Sequence, residues 1–338
     1  MAFPGNLLFS ASQSGGSFTV YAVTVSGRRR VAYQAPGGLT IQDVARDGRW
    51  LATRLDYRYA AMVHTPSNSA GRDGDRDNDR DLSWLNTSHV RALSQDGNTL
   101  LFAETGLGTN YAVCIRKTDG SPVVRLGEGW PAALSADGKF VLAVVQSRPP
   151  QLVIYPTGAG ETQQLKRGEI ENYATAQWFR DGKNVLINGN EPGKGTRFYV
   201  QALGGSAARP VTPEGTRDGR LSPDGKLVLA RGPDGKYSQY PIAGGEPQPV
   251  PELTDADILA QWSTDGRSVL VYRRAEIPCR IERVDLATGR RTLFKEIAPA
   301  DRTGLLSMRE IFITDDQRSY AYTGYYQVSS LFVSESSQ

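Results

Sequence analysis

The sequence predicts an all-β chain, a seven-bladed β-propeller of four-stranded antiparallel blades, on three observations. A short turn pattern recurs along the 338 residues. Each copy sets apolar residues at strand spacing on both sides of its turn, and no segment carries a sustained 3.6-residue apolar stripe. The copies are VARDGRWLA, LSQDGNTLL, LSADGKFVLA, WFRDGKNVLI, LSPDGKLVLA, WSTDGRSVLV and ITDDQRSYAY, anchored at Asp47, Asp96, Asp137, Asp181, Asp224, Asp265 and Asp316. Their mean spacing is about 45 residues, the period of a four-stranded blade.

Each repeat opens with a hairpin. An apolar residue stands three positions before the aspartate (Val44, Leu93, Leu134, Trp178, Leu221, Trp262, Ile313), and apolar pairs such as Leu100 and Leu101 or Val141 and Leu142 follow it. Asp-Gly between two such runs is a strong hairpin signal, because Gly takes positive φ cheaply and Asp tolerates it. Consecutive apolar residues after the turn imply a strand buried on both faces, as in a sheet held between neighbouring sheets. Two more strand-like runs follow, for example NYAVCIRKTDG then SPVVRLGEG, TRFYVQALGG then ARPVTPEG, and CRIERVDLATG then RRTLFKEI. That makes four strands per repeat.

The ends set the closure. LLFSAS, FTVYAVTVSG and RRRVAYQ precede the first anchored repeat, while the last, REIFITDD to LFVSESS, lacks a fourth strand. A closed propeller leaves no exposed edge, so the N-terminal strand RRRVAYQ is expected to complete the last blade as a Velcro closure. One propeller domain then spans 1–338, with 1–24 an extra hairpin or partial blade and 25–338 the seven blades. Eight blades with incomplete terminal blades is the alternative.

Composition removes several function classes. Net charge is only +3, with no long basic run, so the electrostatic footprint of a nucleic-acid binder is absent. His64 and His89 are the only histidines, too few for a three-histidine zinc site and a poor basis for Ser-His-Asp chemistry. Cys114 and Cys279 read as isolated buried thiols. No apolar run approaches the ~20 residues of a membrane span. The chain reads as soluble and monomeric, without membrane insertion, and the compartment is left open between a bacterial cytoplasm and periplasm.

The LSPDGKLVLA type of hairpin resembles the repeat of TolB-type, WD-repeat-like bacterial propellers. The longer stretches RKTDGSPVVRLGEG, YPTGAGE, GNEPGKG, PVTPEG, GGEPQPVP and RVDLATGRR resemble the propeller region at the C-terminal end of certain bacterial serine/threonine protein kinases. The likeness covers nearly the whole chain. Gln317, in place of the turn glycine of the last repeat, and the Asp/Arg-rich stretch 72–81 depart from the pattern.

No kinase domain is encoded. GLGTNYAV has Tyr111 where a nucleotide loop needs its third glycine, and no H-R-D or D-F-G element follows. GNEPGKGT is one residue short of a phosphate loop, and a strand rather than a helix follows. The expected function is therefore a non-catalytic ligand- or protein-binding sensor or scaffold, implied by resemblance to be kinase-associated. A hydrolase or polysaccharide lyase using channel carboxylates is the alternative; a cap on a serine peptidase is disfavoured, since no G-x-S-x-G elbow is present.

Binding of a protein, peptide or small molecule is expected on one axial rim, through Arg54, Asp56, Tyr57, Arg58, Glu104, Trp130, Arg148, Glu191, Arg217, Arg231, Arg273 and Tyr325, a mixture of arginines and aromatics typical of binding hot spots. No cofactor is expected. In GRDGDRDNDRD, Asp73, Asp75, Asp77, Asp79 and Asp81 alternate as in calcium loops, but the distal Glu is replaced by Trp84 and three arginines intervene, so no metal is expected there.

Overall fold

The computed structural model describes residues 2–3, 6–11, 19–34, 38–45, 47, 49–66, 79–105, 110–205, 207–274 and 276–333. Every regular element among them is a strand, and no helix is long and apolar enough to cross a membrane. The strands form seven sheets. The chain divides into two compact units, a smaller one of 1–58, 303–305 and 326–338 and a larger one of 59–302 and 306–325.

Five sheets of the larger unit follow the chain without interruption, each a four-stranded antiparallel meander. Sheet 1 is Ser88–Leu93, Thr99–Glu104, Ala112–Lys117 and Val124–Glu128. Sheet 2 is Trp130–Leu134, Phe140–Val145, Gln151–Pro156 and Gln163–Gln164. Sheet 3 is Asn172–Trp178, Asn184–Asn190, Arg197–Ala202 and Arg209–Pro210. Sheet 4 is Arg217–Leu221, Leu227–Arg231, Tyr237–Pro241 and Gln248–Pro249. Sheet 5 is Ile258–Trp262, Ser268–Tyr272, Cys279–Asp285 and Arg291–Ile297. In each, the first two strands are the hairpin that the turn pattern predicts.

Burial on both faces of the second strand is visible residue by residue. Leu100 and Phe102 pack in one apolar cluster and Leu101 in the next. Val141 and Ala143 face sheet 1, whereas Leu142 and Val144 face sheet 3. Leu186 and Val185 divide in the same way. Alternate side chains of one strand therefore serve two different sheet interfaces, which is why the apolar residues run consecutively. The thiols of Cys114 and Cys279 are free and fully buried, and burial pushes both up to about 12.

The turn itself is reinforced by side chains. In sheet 1 the Ser94 hydroxyl donates to Asp96 Oδ1 at 2.5 Å, Asp96 accepts the Asn98 N–H, and Ser94 Oγ accepts the Thr99 N–H. Ser135 with Asp137, Ser222 with Asp224, Ser263 with Asp265 and Thr314 with Asp316 repeat the arrangement. Gln317 occupies the position held elsewhere by a turn glycine, with φ 63° against 69° at Gly97, and its N–H makes the same bond to Thr314 O, at 2.8 Å. The turn geometry survives the substitution at the cost of a left-handed non-glycine residue.

Closure differs from the expectation in its strand. Arg29–Gln34, within RRRVAYQ, pairs with Thr19–Thr24 in a sheet of its own with Asn6–Ala11 and Ala2–Phe3. The sixth sheet places Leu305–Ile313, Tyr320–Val333, Trp50–His64 and Gly38–Val44 in that order, with Arg80–Asp81 paired to Met62 and Val63. Within the larger unit, residues 59–64 and 80–81 thus follow 306–313 and 320–325 as third and fourth strands. A strand from the N-terminal part does close the last blade, but it is the end of Trp50–His64. WLATRLDYRYAAMVH has no Gly or Pro between its ends and continues through Asp56 as a single 15-residue strand, long enough for its end to reach the last blade. Seven sheets are present, and six of them belong wholly or partly to the larger unit.

Closure is fastened by a buried carboxylate. Asp79 accepts hydroxyl bonds from Tyr320 at 2.7 Å and Tyr322 at 2.6 Å, and His64 lies 3.5 Å from it while stacking on Tyr320. Asp81 caps Ser83. Two of the five alternating aspartates are thus bound to the protein itself; Asp73, Asp75 and Asp77 lie outside the described residues. In the smaller unit, Val20, Leu39 and Ala52 form a core with Leu8, Ile41 and Trp50 packed against it. Phe9 stacks on Tyr21, and Tyr33 meets Trp50 edge-on, both at 5.4 Å.

Candidate functional site

The first strands of all six sheets of the larger unit line one cavity of about 960 Å³. They leave space because many of their inward residues are small: Ala92, Ala132, Ala133, Ala174, Gly219 and Ala260. Gly219 is required by packing, since a Cβ there would come within 2.6 Å of the Phe198 ring. Each first strand of sheets 1 to 5 also carries a register shift, between Val90 and Ala92 in sheet 1 and between Arg217 and Arg220 in sheet 4. Such bulges re-aim side chains. Two wall residues that are not glycine, Asp218 and Glu310, sit at φ 53°. A left-handed conformation at a non-glycine residue costs on the order of 1 kcal/mol and is common at functional sites.

Five arginines and three carboxylates line this channel: Arg91, Arg180, Arg217, Arg220 and Arg274 against Asp218, Glu310 and Asp315. At the turn end the charges are paired across the opening. Gln95, Arg180 and Asp315 each stand immediately before a turn aspartate. Arg180 reaches Asp315, three sheets away, at 3.0 Å, Gln261 donates to the same carboxylate at 2.9 Å, and the Asp315 N–H donates to Gln95 Oε1 at 2.7 Å.

The opposite end is aromatic and cationic. Tyr111 meets Trp130 edge-on at 4.5 Å, Trp130 lies 5.4 Å from His89, His89 stacks on Tyr59 at 4.2 Å, and Tyr59 stacks on Tyr325 at 4.7 Å. Arg91 covers the Trp130 ring at 5.1 Å and Arg309 covers Tyr325 at 4.9 Å. Glu310 joins this row to the channel wall, lying 3.6 Å from His89 and 3.5 Å from Arg91, and accepting the Thr323 hydroxyl. Burial pushes the Glu310 carboxyl up, but His89, Arg91 and Thr323 together hold it below its ordinary value. Deeper in, burial and the charge of Arg220 both lower Arg91, with Glu310 opposing them.

The twelve rim residues expected from the sequence scatter. Trp130 and Tyr325 fall in the aromatic row and Arg217 on the channel wall. Arg54, Asp56, Tyr57 and Arg58 are not in a loop but inside the strand Trp50–His64, in the smaller unit, where Arg54 pairs with Asp56 at 2.7 Å. Tyr325 likewise lies within a strand, Tyr320–Val333. Glu104 is fully buried, accepting the N–H groups of Leu85 and Thr87 and the Ser88 hydroxyl. A carboxylate enclosed by that many donors holds its own loop together. The Lys194 ammonium and Arg197 guanidinium engage Glu191 and hold its carboxyl down to about 2. Arg231 lies over Tyr237 and donates to Asp255 O, Arg273 sits between Asp257 and Glu276, and Arg148 is exposed in the loop after Phe140–Val145.

The sequence reading missed Arg91, Arg220, Tyr272, Tyr59, His89 and Arg309. A signal for part of this set was available: four residues before the turn aspartate, sheets 1 and 2 have Ala92 and Ala133, whereas sheets 3, 4 and 5 have Gln177, Arg220 and Gln261. This position lines the channel in all six sheets, with Phe312 in the sixth, and a polar residue there puts a hydrogen-bonding group into the wall. Among the described residues, no group of three or more His, Cys, Asp or Glu side chains is placed to hold a metal ion.

Solved structures share this architecture. A structure assigned as TolB from Agrobacterium tumefaciens superposes with a TM-score of 0.59 at 14% identity, covering 80% of this chain and 99% of that one. The fold is a TolB-like β-propeller. TolB from Acinetobacter baumannii superposes with a TM-score of 0.50, also at 14% identity, over 94% of this chain and 78% of that one. No protein-family model and no curated protein sequence matches the chain.

Proposed function

We propose that the chain is a non-catalytic binding propeller whose ligand, a peptide, protein segment or small molecule, enters the channel from the aromatic end. The observation that carries this reading is the row Tyr111, Trp130, His89, Tyr59 and Tyr325, continued into the channel wall by Arg91 and Glu310. Stacked rings flanked by arginines supply large contact area at little entropic cost, the composition of binding hot spots. The three channel carboxylates favour binding over hydrolysis or lysis, because Glu310, Asp315 and Asp218 each lie beside an arginine that engages the carboxylate as an ion pair.

A thermal-shift panel of peptides and oligosaccharides tests the reading. Ligands that raise the melting temperature of the full chain are expected to lose that effect in Trp130→Ala and keep it in Arg148→Ala. Equal protection of both variants overturns the assignment of the aromatic end, and sustained turnover of a bound ligand overturns its non-catalytic character. The association with a bacterial serine/threonine kinase as a sensor module is supported by the resemblance of stretches such as RVDLATGRR alone. A kinase domain in frame upstream of Met1 supports it; an unrelated coding context overturns it.

A further inference from the structure

Arg220 stands out among the channel cations. Arg91 is neutralised by Glu310 and Arg180 by Asp315. Arg220 makes only a long bond, 3.4 Å, to Gly219 O, and no carboxylate of the described residues lies within ion-pair distance of it. Its neighbour Asp218 is turned toward Arg217 at 3.8 Å and Arg231 at 3.9 Å. A guanidinium offers five N–H donors in a planar fork, and leaving them unmatched in a confined site is unfavourable.

Tyr272 adds a second donor at the same place. Its hydroxyl oxygen accepts the N–H of Glu310 at 3.0 Å, and no acceptor for its own proton is present among the described residues. Burial pushes the Tyr272 phenol up to about 12, so that proton stays in place at neutral pH. Arg220 and Tyr272 act electrostatically on one another, and Arg220 acts on Arg91. Glu310 is engaged by Arg91 and His89, so Arg220, on which the more distant Asp218 is the only carboxylate to act favourably, is left without a directly paired carboxylate among the described residues.

We infer that the channel holds an oxyanion site in which Arg220 and Tyr272 donate to a carboxylate or phosphate of the ligand, with Arg91 adding to the positive field. The inference rests on the channel being the ligand site and specifies the chemistry it selects. A planar carboxylate or a phosphate oxygen pair matches the fork of Arg220, and the phenol supplies a further hydrogen bond that a neutral ligand would not require. Asn188 and Thr175, also on the wall, carry no charge that would oppose an anion.

Isothermal titration of the full chain with citrate and with inorganic phosphate, each against sodium chloride at matched ionic strength, tests the site. At least one of the two anions is expected to bind with one-to-one stoichiometry and to raise the melting temperature above the chloride control, and the stronger of the two separates carboxylate from phosphate recognition. Arg220→Gln is expected to weaken binding about tenfold or more and Tyr272→Phe about threefold, while Arg267→Gln, an exposed turn residue outside the channel, leaves it unchanged. Binding of neither anion above chloride, or wild-type affinity in Arg220→Gln, overturns the site. If Arg220→Gln does not fold, Tyr272→Phe decides, because it removes one oxygen only; unchanged affinity there overturns the assignment. A ligand from the thermal panel that depends on Trp130 while both anions fail leaves the binding propeller standing and overturns the oxyanion site alone.

Discussion

The two ends of the channel solve the same electrostatic problem in opposite ways. At the turn end, Arg180, Gln261, Gln95 and Asp315 satisfy one another, and the groups involved are half open to water: Arg180 is 56% exposed and Asp315 31%. At the other end Arg91 and Glu310 are 17% and 23% exposed, and Arg220 behind them has no carboxylate partner among the described residues. A solvated pair is screened and contributes little, whereas enclosed charges act strongly on each other and on whatever enters. The turn end is thus satisfied by its own side chains, and the aromatic end is where the proposed ligand would meet an enclosed guanidinium.

Removing one carboxylate from each end gives the largest contrast. Glu310→Ala leaves Arg91 and Arg220 facing each other without compensation and strips acceptors from His89 and Thr323. A loss of about 3 kcal/mol or more in unfolding free energy is expected, measured by denaturant titration. Asp315→Ala is expected to cost less than about 1 kcal/mol, because its arginine partner is solvated. Equal losses at the two ends would remove the distinction.

Acid acts on the turns and on Glu310 with the same sign. The turn aspartates Asp96, Asp137, Asp224, Asp265 and Asp316 are held below their ordinary value by the neighbouring Ser or Thr hydroxyl and then by a backbone N–H. A depressed carboxylate contributes stability that is fully present above its unfolded value near 3.8 and is lost as pH falls through the folded one. Glu310, lowered from 4.5, has the same sign. Stability is therefore expected to hold from neutral pH down to about 5 and to fall steeply below about 4. Acid unfolding followed by circular dichroism checks this, and unfolding that begins near pH 6 would show that these carboxylates do not set the acid limit.

The smallest effect tests the turn itself. Gln317→Gly restores the residue that suits φ 63° but gives up the bond from Arg283 to the Gln317 side chain at 3.1 Å. Relief of the left-handed strain, about 1 kcal/mol, outweighs one partly exposed hydrogen bond, so a rise of a few tenths of a kcal/mol is expected in the melting curve. A fall would show that Arg283 depends on that contact.

Much of the fold was legible because it is local. Asp-Gly between apolar runs marks a hairpin wherever it occurs, and consecutive apolar pairs such as Val185 and Leu186 report a strand packed on both faces. The capping serines were in view as LSQDG, LSADG, LSPDG and WSTDG, although their hydroxyl bonds were not read from them. The functional residues were less legible. Trp130, Tyr325 and Arg217 could be picked as arginine or aromatic residues near strand ends, but so could Glu104, whose burial follows from Leu85, Thr87 and Ser88 folding over it.

By itself, then, the sequence determined the all-β class, the hairpin repeat and the four-stranded sheets, since each depends on side chains a few residues apart. Tertiary structure alone decided which strand closes the last blade, because Arg29–Gln34 and the end of Trp50–His64 are equally strand-like and only packing selects between them. It also decided which arginines share a channel: Arg91 and Arg220 are 129 positions apart in the chain, and neither their mutual repulsion nor the shared wall that carries Arg220 and Tyr272 exists until six sheets bring their first strands around one cavity. Local pattern encodes elements, whereas uncompensated charge belongs to an assembled environment and has no signature in any one segment.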